Sequence, residues 1–233
     1  MGLSSAYFAL THTSVRSVRV LDVKKSVAAL GGASMASAGL LHSFSRKGKK
    51  IWLGDEGFAA TMRLVEAAEE HTGTAIRQPG VGIVRISDDG TEDVVNGGCV
   101  LDPAAYLRGL WSLIQGVGAD LDKDVKWVSA GAKEQLQSIT RSVGAEQERV
   151  VRICALGAGV LDADIWPDAK VLGKLSAERG RNIILDNKSG LSDARIRGEY
   201  VVPNFGDKVI LGATHEREWD KSLFGPEGQA TAT

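Results

Sequence analysis

The stretch GLSSAYFALTHTSVRSVRVLD, residues 2–22, predicts a helix, a turn, a strand and an acid, in that order. Leu3 to Leu10 is a run of small and apolar residues without turn chemistry, which is typical of a helix. Residues 11–14 supply the turn, and Val18 to Asp22 alternates toward a buried strand that ends in a carboxylate. The fold is therefore expected to start with a helix that leads into a strand.

Dinucleotide-binding βαβ units have the same order of elements. In such units the helix opens at the third glycine of G-x-G-x-x-G, and the next strand ends in Asp or Glu about 20 residues further on. Gly2 and Asp22 are 20 positions apart, and Asp22 would accept a hydrogen bond from a ribose hydroxyl. The first strand and the first two glycines would then lie upstream of Met1. Asp22 at a strand end is equally typical of a simple turn residue.

The composition is that of a globular protein with an unusual number of glycines. Hydrophobic residues make up 43% and charged residues 24% of the 233 residues, which excludes disorder, collagen and coiled coil for most of the chain. The length fits one large domain or two interleaved ones. The 28 glycines, against only 5 prolines, indicate many tight turns or close approaches of backbone to a ligand.

Charge and cysteine content argue against several classes of partner. The 28 basic and 29 acidic residues nearly cancel, and only the stretch 46–50 concentrates Lys and Arg, so no nucleic-acid partner is expected. The uncharged stretch 26–45 is too small and polar to cross a bilayer, so no membrane is expected.

Cys99 and Cys154 lie among hydrophobic residues, which favours buried thiols in a reducing compartment, and no metal cluster is apparent. With no basic signal peptide before Arg16, we expect a soluble protein of the cytoplasm, plastid or mitochondrion.

The rest of the chain alternates between helical and strand patterns. Apolar spacing predicts helices over 57–71, over 136–143, and from an N-cap at Asp102 with Pro103 in the first helical position. Strands are predicted over 81–86 and 93–95 as a hairpin, and over 125–128, 149–155, 182–185, 199–202 and 208–212. This order predicts an α/β fold with an α+β mix, in which a nucleotide-binding layer is interrupted by a domain built on an antiparallel sheet.

The Gly/Ser-rich stretch GGASMASAGLLH, residues 31–42, has the composition of a ligand-binding loop. Small residues let backbone N–H groups approach an anion closely, and Ser34 and Ser37 add hydroxyl donors. The segment would then wrap a pyrophosphate or line a flat ring system. Taken alone it is more typical of a flexible or tightly packed loop, because such loops are common.

The ordered set of segments resembles the D-amino-acid oxidase-like family of FAD-dependent oxidoreductases, which includes glycine and sarcosine oxidases. The front of that family is matched by Gly2 to Tyr7, by Val20-Leu21-Asp22, and by Gly32-Ala33-Ser34 together with Ala38 to His42. Later segments follow in the family's order: Gly98 to Pro103 ("G-x-x-x-D-P"), Ala155 to Gly159 ("A-x-G-A"), Glu178-Arg179-Gly180 with Arg181 in place of the family's Gln, Tyr200 to Pro203 ("Y-x-x-P") and Leu211 to Glu216 ("L-G-A-T-x-E"). The resemblance covers nearly the whole chain.

The resemblance implies FAD as the cofactor and a small-molecule amine or amino acid as the substrate. A hydride would pass from the substrate carbon next to nitrogen to the flavin. Asp22 would bind the adenosine ribose, and Gly2 would lie against the pyrophosphate. The Gly/Ser-rich stretch would lie along the rest of the cofactor, through Gly32, Ser34, Met35, Ala36, Ser37, Gly39 and Leu40. The turn at Gly157 and Ala158 would close the other side of the cofactor site.

Tyr200 and His42 are the residues that the resemblance puts near the reaction. Tyr200 would donate its hydroxyl to a substrate carboxylate, and His42 would hydrogen-bond a ring edge or a substrate amine. Each has a structural alternative. Tyr200 is compatible with a strand aromatic that packs on the sheet with its hydroxyl at the rim, and His42 with a satisfied core or loop residue.

By the same resemblance, residues 1–75 and 97–165 form a partial Rossmann-like FAD-binding domain, and residues 76–96 and 166–222 form an antiparallel β substrate domain, followed by a flexible tail at 223–233. The family's first strand is missing before Gly2 and its C-terminal flavin-contacting segment is missing after Thr233, so we expect a chain truncated at both ends. Two functions stay open, an FAD-dependent oxidoreductase and a non-catalytic remnant that acts as an interaction module. A nicotinamide dehydrogenase fits less well, because the Asp22 strand leads into a Gly/Ser loop.

Overall fold

The computed structural model describes residues 2–22, 24–29, 32–45, 48–129, 180–214 and 216. Within them the chain forms helix α1 (Gly2–His12), strand β1 (Ser17–Asp22), a 3-10 turn (Val27–Ala29), α2 (Gly32–Ala36), β2 (Leu40–Leu41), α3 (Gly54–Thr72), β3 (Ile83–Ile86), β4 (Glu92–Val94), β5 (Cys99–Val100), α4 (Pro103–Asp120), β6 (Asp124–Ser129), β7 (Ile183–Asp186), β8 (Ala194–Arg197), β9 (Glu199–Asn204) and β10 (Lys208–Gly212). The fold is mixed α/β, as the sequence predicts.

Local sequence explains where the two long helices begin and end. The Asp102 carboxylate accepts hydrogen bonds from the backbone N–H groups of Ala104 and Ala105 at 2.8 and 3.0 Å, and Pro103 occupies the first turn of α4. The carboxylate pairs with backbone N–H groups that have no partner within the helix, and proline has no N–H group that would be left unpaired there. At the other end of α3, Gly73 takes a left-handed conformation and its N–H donates to the Glu69 carbonyl oxygen, which closes the helix.

The helices and the parallel pair of β1 with β6 enclose the first hydrophobic core. α1 and α3 both pack against α4, and β1 lies beside β6 with Ser17 opposite Asp124 and Asp22 opposite Ser129. This core is closed by the apolar faces of the three helices, with Leu10, Val65 and Ile114 fully buried at its centre. Trp127 of β6 packs edge-to-face on Trp111 of α4 at 5.3 Å between ring centroids.

A six-stranded sheet in the order β4-β3-β8-β9-β10-β7 forms the second layer. β3 and β8 pair in parallel, and the other neighbours pair in antiparallel fashion. The pairing aligns one row of residues directly across five strands, in the order Asp93, Arg85, Ile196, Tyr200 and Gly212. Residues that lie opposite each other in a sheet project from the same face, so this row has one common face.

That face of the sheet forms the second hydrophobic core. It contributes Ile83, Ala194, Ile196, Val202 and Ile210, and it packs against apolar residues of the β2–β5 pair and of the segment before it, namely Ala38, Leu40 and Val100. Leu40 lies opposite Val100 in that two-stranded pair. The chain that precedes α3 is thereby held against the sheet, and with it the stretch that the sequence marks as a candidate cofactor segment.

Several predicted elements are confirmed and a few boundaries are wrong. The hairpin of β3 and β4, the Asp102-capped helix and the strands at 17–22, 124–129, 183–186, 199–204 and 208–212 are present. α1 extends to His12, because Thr11 and Thr13 bond back to the helix carbonyls instead of forming the predicted turn. Residues 31–42, interpreted as a loop, contain α2 and β2, and β8 has no counterpart in the prediction. The elements predicted at 136–143 and 149–155 lie outside the described residues.

No helix in the described part of the chain is long and apolar enough to cross a membrane.

Gly39 is a position where the fold requires glycine. Its φ is +73°, and a Cβ built there would collide with the carbonyl oxygen of Leu101. Gly39→Ala is expected to lower the free energy of unfolding by about 2 kcal/mol or more, because backbone strain and a steric clash add up. Gly80→Ala is the matched control, since Gly80 has the same φ with nothing near its Cβ, and it should cost about 1 kcal/mol. Urea unfolding measures both; equal losses would show that the close approach to Leu101 does not matter.

Candidate cofactor and substrate site

The carboxyl ends of β1 and β6 carry the first group of predicted site residues. Asp22 ends β1 and lies opposite Ser129, and one of its carboxylate oxygens accepts from the backbone N–H of Lys24 at 2.8 Å. Trp127 fixes the same turn, because its indole N–H donates to the Lys24 carbonyl oxygen at 2.9 Å. The second carboxylate oxygen of Asp22 has no hydrogen-bond partner among the described residues. Asp22 is therefore a turn residue, which was the alternative interpretation of this position. Its second carboxylate oxygen still lacks a partner among the described residues and can accept a hydrogen bond from a ligand.

The start of α1 belongs to the same edge. α1 packs on β1 and is connected to it by a short turn, so helix and strand run in opposite directions and Gly2 lies toward the Asp22 end of the strand. The first backbone N–H groups of a helix have no partner within it and attract anions. Gly2 and Asp22 thus bring toward one edge donors and an acceptor that have no partner in the described part of the chain.

The short helix α2 presents small and polar residues to solvent. Ser34, Ala36 and Ser37 are exposed and Met35 is half-buried. The Ser37 hydroxyl donates to the Ser34 carbonyl oxygen at 2.9 Å, whereas the Ser34 hydroxyl has no partner in the described residues. Of Gly32 only its place at the start of α2 is described. An exposed face of this kind is sterically open to a ligand.

Gly39 and Leu40 have structural roles in this arrangement. The Gly39 carbonyl oxygen accepts from the Leu101 N–H at 2.8 Å, and Leu40 packs on the second core beside Val100. These contacts account for both residues without a ligand. Their predicted contact with a cofactor stays a prediction, as do those of Gly157 and Ala158, which lie outside the described residues.

A hydrogen-bonded chain joins α2 to the sheet through Asn182. The Tyr200 hydroxyl donates to the Asn182 side-chain oxygen at 2.9 Å, and the Asn182 side-chain N–H donates to the Ala36 carbonyl oxygen at 2.6 Å. Gly212 leaves room for this contact, because a Cβ there would collide with the Asn182 oxygen. Burial raises the pKa of Tyr200, so its hydroxyl keeps its proton at neutral pH. Two residues that the sequence predicts for the site, Ala36 and Tyr200, are therefore connected by one that it does not predict.

His42 lines a small cavity on the same face of the sheet. The cavity has a volume of about 140 Å³, and its wall consists of His42, Phe44, Ser45, Arg85, Val95 and Ile196. The Nδ1 atom of His42 lies 3.3 Å from the backbone N of Phe44, which donates to it. Burial lowers the pKa of His42. The imidazole is consequently neutral near pH 7, with its proton on Nε2.

Both predicted catalytic residues thus belong to one region of the molecule. Ile196, which lines the cavity of His42, lies directly opposite Tyr200 on the neighbouring strand and directly opposite Arg85 on the other side. Neighbouring strands are about 4.8 Å apart, so Arg85 and Tyr200 are separated by roughly 10 Å along the row.

The residues present fit the polar parts of a dinucleotide cofactor. The adenosine ribose needs an acceptor and the pyrophosphate needs N–H or hydroxyl donors. Among the described residues, Asp22 has a carboxylate oxygen without a partner, the first turn of α1 has unpaired N–H groups, and Ser34 has an unpaired hydroxyl. Within the described residues no group of three or more His, Cys, Asp or Glu side chains could hold a metal ion.

Sequence reasoning missed Asn182 and Arg85. Both residues fall in strands that the sequence predicts, Asn182 at the first position of 182–185 and Arg85 within 81–86. Neither has a local pattern that marks it, because Asn182 bonds to Ala36, 146 residues away, and Arg85 bonds to Gly48, 37 residues away. Arg85 was detectable only as a charged residue on the strand face that also carries the buried Ile83.

Comparison with known proteins supports the mixed α/β fold. No family model matches the chain, and neither does any curated protein. Among solved structures, glycine oxidase from Geobacillus kaustophilus is similar with a TM-score of 0.61 and 14% identity, covering 94% of this chain and 70% of that one. Glycine oxidase from Bacillus cereus (TM-score 0.52, 16% identity) and iminodiacetate oxidase from Chelativorans (0.55, 14%) each cover 97% of this chain, which spans 73% of each of them. At these identities the likeness shows the fold that the chain shares with these oxidases.

The His42 geometry has a measurable consequence for its protonation. Because burial lowers its pKa, the ring C–H resonance of His42 should titrate in NMR with a midpoint below the ordinary value of about 6.5. Unfolded chain then binds the proton more readily than folded chain, so this group's contribution to stability is full above pH 6.5 and is lost as the pH falls through the folded midpoint. His42→Gln assigns the resonance and should remove that part of the acid dependence of urea unfolding. A midpoint at or above 6.5 would contradict the buried, neutral imidazole.

The Asn182 connection can be tested by its two hydrogen bonds. Asn182→Ala should lower the free energy of unfolding by about 1 kcal/mol or more. Asn182→Asp should cost at least as much, since it replaces the donor to Ala36 with a carboxylate oxygen facing a carbonyl. Asn204→Ala is the control, because within the described residues the Asn204 side-chain oxygen accepts only from the adjacent Phe205 N–H. If all three variants unfold alike in urea, the link between α2 and the sheet contributes nothing.

Proposed function

We propose that this chain is an FAD-dependent oxidoreductase of the amine or amino-acid oxidase type. The observation that carries the proposal is the connection of Tyr200 through Asn182 to Ala36, since it brings a predicted catalytic residue and the predicted cofactor segment together. The sequence resemblance to a family that includes glycine oxidases agrees with the fold likeness to two proteins described as glycine oxidases. These two lines of support are independent of the Asn182 contact.

The polar ends of the cofactor would be held by residues of the first layer. Asp22 would accept from the adenosine ribose, while the N–H groups that follow Gly2 and the Ser34 hydroxyl would donate to the pyrophosphate. The exposed face of α2, with Met35, Ala36 and Ser37, would lie along the rest of the cofactor. When bound, FAD supplies the hydride acceptor for oxidation of a C–H bond next to nitrogen.

The sheet would hold and orient the substrate. The Tyr200 hydroxyl has one proton, which it donates to Asn182, so its oxygen is left to accept from a substrate ammonium; a carboxylate would have to draw that proton away. His42 holds its proton on Nε2, because Nδ1 accepts from Phe44. It can donate a hydrogen bond at neutral pH without adding a positive charge. Apolar residues of the sheet face, such as Ile196 and Val95, exclude water beside it.

The proposal is tested by titrating the purified chain with FAD, followed by flavin absorbance and fluorescence. Saturable binding is expected. Asp22→Asn should weaken it about tenfold, since the amide keeps the hydrogen bond to Lys24 but removes the charge and one acceptor. Asp124→Asn is the control, because Asp124 lies at the opposite end of the strand pair, beside Lys126, and it should leave the Kd within twofold.

Turnover gives the second half of the test. The FAD-loaded chain should reduce an acceptor such as O₂ in the presence of a member of a panel of small amines and amino acids. The absence of FAD binding would refute the proposal outright. FAD binding with equal affinities for the two variants would refute the assignment of Asp22, and binding without turnover of any panel member would favour a non-catalytic flavoprotein.

A further inference from the structure

β7 is an exposed apolar strand at one edge of the six-stranded sheet. Its first three residues, Ile183, Ile184 and Leu185, are 56%, 63% and 50% exposed. Because successive residues of a strand point to opposite faces of the sheet, apolar side chains are exposed on both faces of this edge. β4, the strand at the other edge, has the sequence Glu-Asp-Val, and charged residues protect an edge strand from pairing with other chains. β7 has no such charge in its first three positions.

The backbone of β7 directs hydrogen-bonding groups away from the sheet. Asn187, directly after β7, donates its N–H to the Asp207 carbonyl oxygen at 2.8 Å. Hydrogen-bonded partners alternate along an antiparallel pair, so the backbone groups of Ile184 and Asp186 point away from β10. Among the described strands β7 has β10 as its one neighbour. The Asp186 carbonyl oxygen accepts from the Lys188 N–H, and within the described residues the other outward groups have no partner.

The sequence of this edge is complementary to itself in an antiparallel arrangement. Reading outward from Ile184, an apolar residue follows on each side and a polar residue comes next, in the sequence Asn182-Ile183-Ile184-Leu185-Asp186. A second copy centred on the same residue places Ile184 opposite its own copy and Ile183 opposite Leu185. Asn182 then lies opposite Asp186, so no like charges face each other. The outward backbone groups of one copy also meet those of the other.

We infer that β7 pairs with the β7 of a second copy of this chain, antiparallel and centred on Ile184, so that two six-stranded sheets join into one continuous sheet. A two-fold axis through this point gives both protomers the same contact, which closes the assembly as a dimer. Each Ile184 bonds to its copy through both its N–H and its carbonyl oxygen. The Asp186 N–H of each protomer donates to the carbonyl oxygen of the partner's Asn182.

The pairing brings a residue of the second copy to the row that contains Tyr200. Asn182 continues this row beyond Gly212, since its side-chain oxygen lies where a Cβ of Gly212 would be. In the dimer the partner's Asp186 comes next to Asn182, the residue that links Tyr200 to α2. Lys208 donates to the Asp186 carboxylate within each protomer at 2.6 Å, so the added charge is already paired. The pairing of the strands does not rest on the proposed function.

The size of the contact indicates a weak dimer. Each protomer contributes three exposed apolar side chains and the backbone of one short strand. Interfaces that bury less than about 1,200 Å² belong to weak and transient complexes. We therefore expect dissociation constants of about 1–100 µM, in the range where concentration decides the state of the chain. A second copy is favoured over an unrelated strand because β7 supplies its own matching pattern.

The first test follows the mass of the purified chain by sedimentation equilibrium from about 1 to 500 µM, with and without FAD. A monomer–dimer equilibrium is expected in both conditions. Ile184→Lys should raise the dimer Kd at least tenfold, because it sets two ammonium groups opposite each other at the centre of the contact. Val94→Lys is the matched control: Val94 is 69% exposed on β4, at the other edge of the same sheet, and the variant should leave the Kd within twofold.

Two results of this test would overturn the inference. One is a chain that stays monomeric over the whole range of concentration. The other is an assembly that Ile184→Lys weakens no more than Val94→Lys does, since the contact would then lie elsewhere on the molecule.

The second test measures the register by cross-linking. In a background of Cys99→Ser and Cys154→Ser, the variants Ile184→Cys and Leu185→Cys each carry one thiol. Directly opposite residues of a hydrogen-bonded pair have Cα atoms about 5.5 Å apart, which a disulfide spans. Leu185 is offset from its own copy by a diagonal of about 7–8 Å, which is too long. Mild oxidation should therefore join two copies of the Ile184→Cys chain and leave Leu185→Cys largely uncoupled on a non-reducing gel. Equal yields, or a higher yield from Leu185→Cys, would overturn the register.

Discussion

The arrangement of the site depends on the parallel pairing of β3 with β8. The backbone N–H of Gly82 donates to the Asp193 carboxylate at 2.9 Å, and the Ala194 N–H donates to the Gly82 carbonyl oxygen at the same distance, although Gly82 and Asp193 are 111 residues apart. Here the Asp193 side chain fixes where the pairing starts. A shift of one residue would turn Arg85 to the opposite face of the sheet and expose Ile83. The cavity, the second core and the row that reaches Tyr200 all follow from this register.

The local elements of the fold were predictable, because their causes are local. Asp102 followed by Pro103 specifies a helix start wherever it is placed, and a two-sided alternation around Asp89-Gly90 specifies a hairpin. β8 was not predictable in this way. Its sequence, Ala-Arg-Ile-Arg, alternates small and apolar with charged residues, and its strand conformation is stabilised by partners on both sides that the sequence does not identify.

The candidate site was predictable to the same limited extent. The small residues at 32–37 stand out by composition, whereas Tyr200 is indicated only by the family resemblance; the structure puts Ala36 and Tyr200 on either side of Asn182. Asn182 and Arg85 are not predictable from sequence because their roles depend on tertiary contacts. Asn182 links two segments by donating to a backbone carbonyl in one and accepting from a hydroxyl in the other, and the sequence around Asn182 contains no sign of either partner.

The cavity that contains Arg85 and His42 is built by two separate parts of the chain. Arg85 comes from the sheet and is held by Asp93 of the same sheet, while its second anchor, Gly48, and the neutral His42 come from the stretch that links β2 to α3. A protonated histidine beside the guanidinium would add a second positive charge to a cavity of about 140 Å³. Because the imidazole is buried and neutral, Arg85 is the one permanently charged group in the cavity wall, and its ion pair with Asp93 balances that charge. The stretch after β2 therefore has to lie in one position against the sheet for His42 and Gly48 to meet Arg85. Gly39 and Gly48, both with a φ of +73°, are the positions where the backbone conformation allows this close approach.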